Sequence, residues 1–170
     1  GCLLQQGYRV RVFEQAPELG EVGAGVQMSA SAVKVLRHLG LAEQLDEIGV
    51  RPKAYVFRLF RSGEMLQTFA LGEEHEGLNG APYYQFYRAD IHALMARRVH
   101  QLDPDAVILN ARVEGFTQTG STVTVRLSDG RVEEGDVLIG ADGIKSVIRE
   151  QILGQTEARF TGDVAWRVLV

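Results

Sequence analysis

The spacing of apolar residues alternates between helical and strand periods, which predicts an α/β order of elements. The chain opens on a helix end at 1–7, and the apolar run 8–13 has the β-branched and aromatic content of a core strand. Helical spacing follows over 29–48, capped by Ser29 or Ser31, and ends at a glycine. A further helix is predicted just after Arg88, ending near the Asp103-Pro104 pair.

Strand periods dominate the remaining segments. Two runs at 54–60 and 65–71 flank a polar Arg-Ser-Gly-Glu turn and predict a hairpin, and the polar segment after them is expected to be a loop. Three short strands are predicted at about 107–116, 122–127 and 131–134. Their turns contain Thr-Gly and Asp-Gly pairs, so the three strands are expected to form a meander.

The end of the chain carries one more strand-helix pair. The uninterrupted apolar run 137–139 predicts a strand covered on both faces, as in a parallel sheet. A helix is then predicted from Ser146 to a stop at Gly154.

Composition narrows the class of protein. With 170 residues, 45% of them hydrophobic, the chain can bury the core of one domain, or of one domain and part of a second. A net charge of −4 argues against nucleic-acid and membrane-surface binding, and no apolar stretch approaches the ~20 residues of a membrane span. The single cysteine, Cys2, excludes an internal disulfide and fits a reducing, cytoplasmic location. The four histidines lack the spacing of a metal site.

Glu14 is the first candidate for chemistry. It follows the predicted strand 8–13, where a dinucleotide-binding fold places an acid on the ribose hydroxyls. A solvated acid just past a strand explains the position equally well. The phosphate-binding GxGxxG is absent, and Gly23-Ala24-Gly25 cannot replace it because it follows the acid. The fingerprint is therefore expected upstream of Gly1, with the numbering beginning inside a helix.

Asp142 lies in the segment Gly140-Ala141-Asp142-Gly143, after the predicted strand 137–139. The carboxyl edge of such a sheet binds ligands, and the two glycines would let backbone approach a phosphate or ribose. Taken alone, the segment is more typical of an ordinary turn that uses Asp and Gly for their backbone preferences.

Arg88 is unfavourably placed for a cation, because the positive end of a helix dipole opposes it by roughly a few tenths to 1 kcal/mol. A bound pyrophosphate would make the interaction energy of the Arg88 cation favourable, and so would the neighbouring Asp90. Just before it, Tyr83, Tyr84, Phe86 and Tyr87 could line an aromatic pocket, although such clusters more often pack a core.

Four segments share their order and spacing with one enzyme family: Gly7-x-x-Val10-x-Val12-x-Glu14, Leu19-Gly20-Glu21-Val22-Gly23-Ala24-Gly25-Val26, Tyr87-Arg88-Ala89-Asp90-Ile91-His92-x-Leu94, and Asp136-Val137-Leu138-Ile139-Gly140-Ala141-Asp142-Gly143-x-x-Ser146-x-x-Arg149. The Trp166-Arg167 pair extends the match. Together they resemble the class A flavoprotein monooxygenases, in particular the salicylate, 3-hydroxybenzoate and 6-hydroxynicotinate hydroxylases. The resemblance covers essentially the whole chain.

The resemblance implies an α/β fold: an FAD-binding Rossmann-like domain of the glutathione-reductase type with a β-meander, plus part of an antiparallel-sheet substrate domain. Residues 1–50 and 86–158 would belong to the FAD-binding domain, without its first strand and GxGxxG. Residues 51–85 and 159–170 would be parts of the substrate domain, so that the chain is expected to be truncated at both ends.

The resemblance also implies roles for single residues. Catalytic side chains are expected outside this chain, and Arg149 is expected to brace its own motif. The implied cofactor contacts are Glu14 on the adenosine ribose, Val113 backbone against adenine, Gly25 and Val26 near the isoalloxazine, Arg88 at the flavin phosphate or ribitol, and Asp142 with Gly143 in a motif tied to FAD and NAD(P)H.

For the intact enzyme, the implied reaction is hydroxylation of a phenolic or hydroxylated aromatic acid with FAD, NAD(P)H and O₂, through a flavin hydroperoxide. A homodimer is compatible with this expectation, and the fragment alone is expected to be inactive. Two alternatives remain at this stage. One is an FAD oxidoreductase of the same fold acting on a non-aromatic substrate, such as an epoxidase or isoprenoid reductase, and the other is a non-catalytic nucleotide-binding domain.

Overall fold

The computed structural model describes residues 1–20, 24–155 and 159–164. Within them the chain forms two compact units. Unit 1 comprises residues 1–10 and 20–104, and unit 2 comprises 11–19 and 105–164. In chain order the elements are α1 (Cys2–Gln5), β1 (Val12–Phe13), β2 (Gly25–Met28), α2 (Ala30–His38), α3 (Ala42–Ile48), β3 (Gly49–Val50), β4 (Ala54–Arg58), β5 (Met65–Ala70), α4 (Glu73–Asn79), β6 (Tyr84–Tyr87), α5 (Arg88–Leu102), β7 (Val107–Ile108), β8 (Val113–Thr119), β9 (Thr122–Leu127), β10 (Val132–Gly135) and α6 (Val147–Leu153).

Unit 1 is built on a three-stranded antiparallel sheet in the order β2-β6-β3. Alternate side chains of β6 point to opposite faces, so Tyr84 and Phe86 are buried while Gln85 and Tyr87 are exposed. The buried pair packs into one core with side chains of α2, α3 and α5 that recur at helical spacing. The largest of these fully buried helix side chains are Val33, Leu45 and Ile91.

The predicted hairpin is confirmed. Strands β4 and β5 pair antiparallel from Ala54 opposite Ala70 to Arg58 opposite Met65, with one irregularity next to Arg58. Gly63 takes a positive φ of 71° in the turn, which favours glycine. Both strands carry large apolar side chains that the described residues leave exposed, and Phe60 in the turn between them is 87% exposed.

Unit 2 joins a short parallel pair to a meander. Strands β1 and β7 pair parallel. Strands β8, β9 and β10 form an antiparallel sheet in that order, and this is the meander that the sequence predicts. The meander contributes Val123, Val125 and Leu127 to a second buried cluster. Helix α6 begins at the Ser146 cap and ends at Gly154, as predicted. The prediction of an α/β chain with a β-meander is therefore confirmed.

Two strand predictions are wrong. Residues 137–139 form no strand, because no described strand lies beside them to supply a hydrogen-bonded ladder, and Val137 and Ile139 are 78% and 68% exposed. Only Leu138 packs against the second cluster. The run 8–13 is a strand only at Val12–Phe13, where its partner β7 is also two residues long.

Two further boundaries differ from the sequence predictions. The expected loop after the hairpin contains helix α4, whose three acidic residues in the first turn favour the positive end of the helix dipole. The expected single strand 107–116 is divided into β7 and β8, because Asn110 takes a left-handed φ of 52° and the chain changes partner there.

Some predictions fall outside the described residues. These are the segment 21–23 within the second family motif, the Trp166-Arg167 pair, and residues 165–170 of the expected substrate-domain part. No helix in the described part of the chain is both long and apolar enough to cross a membrane.

Candidate cofactor-binding site

In unit 1 the structure brings Gly25 and Arg88 together. Gly25 stands opposite Tyr87 in the β2-β6 ladder, and the backbone N–H of Arg88 donates to the carbonyl of Ala24 at 3.0 Å. Arg88 is also the first residue of α5, so the cation lies beside β2 at a helix N-terminus. Asp90 lies in the same first turn, so its carboxylate alone also explains how a cation is accommodated at this helix N-terminus.

Gly25 has room for a side chain that it lacks. A Cβ built on it would come no closer than 4.0 Å to any other described residue, here the carbonyl oxygen of Phe86. Its backbone φ does not require glycine either. Neither packing nor conformation within the described residues explains why this position is a glycine. Close approach of a ligand to the backbone would explain it, because a side chain here would block that approach.

Val26 and the aromatic residues before Arg88 divide between core and surface. The Val26 side chain is half-buried against the core of unit 1, so only its backbone is offered outward. Tyr84 and Phe86 are core residues with stacked rings 5.2 Å apart, which confirms the packing interpretation for this pair. Tyr87 is 45% exposed.

Tyr83 belongs to a polar cluster on β2 and β4. Its hydroxyl donates to Oε1 of Gln27 at 3.0 Å, and the hydroxyl of Tyr55 donates to the same oxygen at 2.5 Å. The two rings meet edge to face at 6.1 Å. Burial, followed by the neighbouring Tyr55 hydroxyl, raises the pKa of Tyr83 to about 12, so this hydroxyl remains a donor at neutral pH. Gln27 and Tyr55 belong to no motif that the sequence pattern singles out, and neither was predicted as a site residue.

In unit 2, Glu14 directly follows β1, as the sequence predicts. Its backbone N–H continues the parallel ladder by donating to the Ile108 carbonyl at 2.9 Å. One carboxylate oxygen, Oε1, accepts the backbone N–H of Ala16 at 2.8 Å, which fixes the side chain. The other oxygen has no hydrogen bond to the described residues, and it can accept a hydroxyl.

Asp142 caps the start of α6. Its Oδ1 accepts the Ser146 hydroxyl at 2.5 Å, and its Oδ2 accepts the backbone N–H of Ile148 at 3.2 Å. Ser146 in turn accepts the backbone N–H of Arg149 at 2.9 Å. Burial acts to raise the pKa of Asp142, but the hydrogen bonds from Ser146 and the Ile148 backbone outweigh it and lower the pKa.

Gly140 and Gly143, on either side of Asp142, are glycines for different reasons. A Cβ on Gly140 would come within 2.9 Å of the Ile148 side chain, so this glycine is needed for packing against α6. Gly143 has a positive φ of 79° and open space around it. Arg149 donates to the Ile144 carbonyl at 2.8 Å, which confirms that it braces its own motif.

Val113 opens β8 opposite Leu127, and its side chain packs against the second cluster. Its backbone is therefore the part that could meet a ligand. Within the described ranges, no three histidine, cysteine or acidic side chains come together in a way that could hold a metal ion.

Comparison with known proteins identifies the family to which the chain belongs. A family described as FAD binding domain matches residues 1–169, which is nearly the whole chain. The chain belongs to this FAD-binding family. Similarity extends over 98% of the chain to the 6-hydroxynicotinate 3-monooxygenase of Pseudomonas fluorescens, at 34% identity. Over 99% of the chain, the 3-amino-4-hydroxybenzoate 2-monooxygenase of Streptomyces cremeus is 37% identical.

A solved structure agrees with the sequence relatives. HpxO of Klebsiella pneumoniae, complexed with FAD and uric acid, superposes with a TM-score of 0.73 at 29% identity, covering 92% of this chain and 39% of that one. The FAD-binding fold of the class A flavoprotein hydroxylases is thereby confirmed. The chain spans about two fifths of the curated relatives it matches, 43% and 42% of the two monooxygenases named above.

The side chains of this FAD-binding chain fit the cofactor in each unit taken by itself. Unit 1 offers the bare backbone of Gly25 beside the cation Arg88, which suits a flat ring system and an anionic linker. Unit 2 offers the fixed carboxylate of Glu14, which suits ribose hydroxyls.

Proposed function

We propose that the complete protein is an FAD-dependent monooxygenase that uses NAD(P)H and O₂ to hydroxylate a phenolic or hydroxylated aromatic acid. One observation carries the proposal: almost the whole chain matches aromatic-acid monooxygenases at 34–37% identity. These include, besides the two named above, the 3-hydroxybenzoate 6-hydroxylase of Polaromonas naphthalenivorans, of which the match covers 42%.

We assign each site residue a part in holding FAD. Glu14 would accept ribose hydroxyls through its second carboxylate oxygen, and the Val113 backbone would border adenine. Gly25 and Val26 would present bare backbone to the isoalloxazine, and Arg88 would neutralise the phosphate or ribitol region. Asp142 can still accept a hydroxyl because each carboxylate oxygen keeps a second lone pair, while Gly143 leaves its backbone open.

Bound FAD would supply the redox chemistry, namely oxidation of NAD(P)H and activation of O₂. The chain itself contributes positioning. The hydrogen bond from Ala16 fixes the Glu14 carboxylate, and the β2-β6 ladder holds Gly25 beside Arg88. Such preorganised groups hold a cofactor at little further cost in conformational entropy.

The proposal also covers the substrate class, the cellular location and the oligomeric state of the enzyme. The substrate would be a small aromatic acid, the location cytoplasmic, and the assembly a homodimer. A single exposed cysteine, Cys2, is compatible with a reducing compartment. Size-exclusion chromatography with light scattering would test the dimer directly.

The deciding experiment uses the complete purified protein. It should be yellow, release FAD on denaturation, and oxidise NADH or NADPH faster when 6-hydroxynicotinate, 3-hydroxybenzoate or 3-amino-4-hydroxybenzoate is added. Product analysis should find one oxygen atom from labelled O₂ in the product. A colourless protein that releases no flavin would overturn the proposal.

The alternatives are not favoured. An epoxidase, an isoprenoid reductase or a non-catalytic nucleotide-binding domain would share the fold, but the relatives described above are all aromatic-ring monooxygenases. A reductase would incorporate no oxygen from labelled O₂, and a non-catalytic domain would not oxidise NAD(P)H.

A further inference from the structure

Gln27 lies on the same outward face of β2 as Gly25. Side chains two residues apart along a strand point to the same side, and both positions are exposed while Val26 between them packs inward. Gly25 leaves this face open toward the described residues, since a Cβ there would come no closer than 4.0 Å to any of them. The face therefore presents a bare stretch of backbone next to one polar side chain.

Two tyrosine hydroxyls hold the Gln27 amide in one orientation. Tyr55, from β4, and Tyr83 both donate to Oε1, at 2.5 and 3.0 Å, so both lone pairs of that oxygen are occupied. The NH₂ group must then point away from the tyrosines. It has two N–H donors and no hydrogen bond to any described residue.

We propose that Gln27 orients the aromatic substrate by donating a hydrogen bond from its side-chain NH₂ group to a phenolate or carboxylate oxygen of that substrate. Tyr55 and Tyr83 are positioning residues that act through the Gln27 oxygen. The inference deepens the proposed function and rests on it. An amide N–H suits this task because its hydrogen bond to an anionic oxygen is strengthened by the charge of that oxygen, although the donor itself is neutral.

The first test compares Gln27→Leu with the wild-type holoenzyme. The probe is the hydroxylated aromatic acid that most changes flavin absorbance in the panel described above. Loss of a hydrogen bond to a charged oxygen should raise the substrate Kd and KM by about tenfold or more, with FAD content unchanged. Gln118→Leu is the matched control, since Gln118 is also exposed on a strand but bonds only within its own turn.

The second test asks whether the tyrosines act through Gln27. The double variant Tyr55→Phe with Tyr83→Phe keeps both rings and should weaken substrate binding in the wild-type background. In the Gln27→Leu background the same two changes should have no further effect on the substrate Kd. A purely structural role for the tyrosines would weaken binding equally in both backgrounds.

The outcomes separate the two proposals. If the wild-type flavin responds to an aromatic acid but Gln27→Leu binds it equally well, the role of Gln27 is overturned and the proposed function stands. If Gln27→Leu loses FAD, the amide contacts the cofactor and the inference is also overturned. If no aromatic acid perturbs the wild-type flavin, both proposals fail.

Discussion

Gly25 and Gly49 lie in strands that flank β6, yet they are glycines for different reasons. A Cβ on Gly49 would come within 2.6 Å of the Leu45 carbonyl and of the Tyr84 and Phe86 rings. Because two of these neighbours are buried rings and the third is backbone, none can move away freely. Gly25 meets no such neighbour.

We therefore expect Gly49→Ala to destabilise the complete protein by about 1–3 kcal/mol or more, as overpacking does. Gly25→Ala should keep or slightly raise stability, since alanine restricts the unfolded chain, but it should weaken FAD binding. Urea unfolding and the rate of FAD release measure the two effects. Equal stability losses in both variants would show that Gly25 is also a packing glycine.

Asp142 stabilises α6 through its ionised form, so its effect should depend on pH. Hydrogen bonds place its pKa below the ordinary value of 3.8 in the folded protein. The folded state therefore binds the proton less readily than the unfolded state, and the ionised carboxylate adds stability at pH above 3.8. That contribution is lost as the pH falls through the lowered folded value.

The variant Asp142→Asn tests this dependence. Near neutral pH its free energy of unfolding should be below that of the wild type by about 0.3–1 kcal/mol, because the neutral amide loses the attraction between the carboxylate and the positive end of the α6 dipole. The difference should shrink as the pH falls below 3.8. Asp163→Asn is the control, since the carboxylate of this exposed residue has no hydrogen bond to another described residue. A difference that stays constant down to acid unfolding would contradict this account.

The sequence located single site residues better than it located their partners. Glu14 and Arg88 lie where the motif spacing puts them, after β1 and at the start of α5. The Gln27 cluster could not be predicted, because Tyr55 and Tyr83 are 28 and 56 residues away in sequence. Tyr83 reaches Gln27 through the pairing of β2 with β6, whereas Tyr55 comes from the separate β4-β5 sheet. The role of Asp142 at the cofactor stays a prediction, and its capping hydrogen bonds could not be predicted because they depend on α6 forming.

Among the secondary-structure elements, α3, β3 and β6 are joined by one polar network. The buried Tyr84 hydroxyl donates to Asp46 of α3, and Arg51 donates to both Asp46 and Tyr84. The Tyr84 hydrogen bond is the largest cause of the lowered pKa of Asp46. Arg51 also reaches Glu76 of α4 at 3.4 Å.

Removing Asp46 should cost more than removing Glu76. Asp46→Ala leaves the buried Tyr84 hydroxyl without its acceptor, which costs about 1–3 kcal/mol. Glu76→Ala breaks only ion pairs to Arg37 and Arg51 that are at least one-third exposed, worth about 0–1 kcal/mol. Urea unfolding of the two variants measures both costs, and Tyr84→Phe with Asp46→Ala should be milder than the sum. Equal losses for Asp46 and Glu76 would refute the ranking.

Elements with a clear period were predictable, and those that depend on a neighbour were not. The hairpin, the meander and α5 follow from apolar spacing and turn residues. The run 137–139 is apolar enough for a buried strand, but no described strand pairs with it. Helix α4 has no buried residue, so it shows no apolar stripe; its acidic first turn and a left-handed cap at Gly80 were its only signals.

At the scale of the whole molecule, the described part of the chain exposes much apolar surface. The hairpin of β4 and β5 concentrates such side chains in a short segment, with Phe57, Phe60, Leu66 and Phe69 all about half or more exposed. Such concentrations of exposed apolar surface mark interfaces, whereas scattered apolar side chains such as Leu78 are ordinary. The relatives are more than twice as long as this chain.

We expect the 170-residue chain, when expressed alone, to self-associate and to bind a hydrophobic dye, because exposed strands and apolar patches both promote association. Replacing Phe60 and Leu66 by serine should lower dye binding and the extent of association, whereas Leu78→Ser, an equally drastic change at an isolated apolar position, should not. In the complete protein the serine pair should instead reduce stability, because covered apolar area is worth about 25 cal/mol per Å². Dye fluorescence and light scattering on the short chain, with thermal melts of the complete protein, test both halves. If the serine pair leaves the melting temperature of the complete protein unchanged, the hairpin is a free surface there as well.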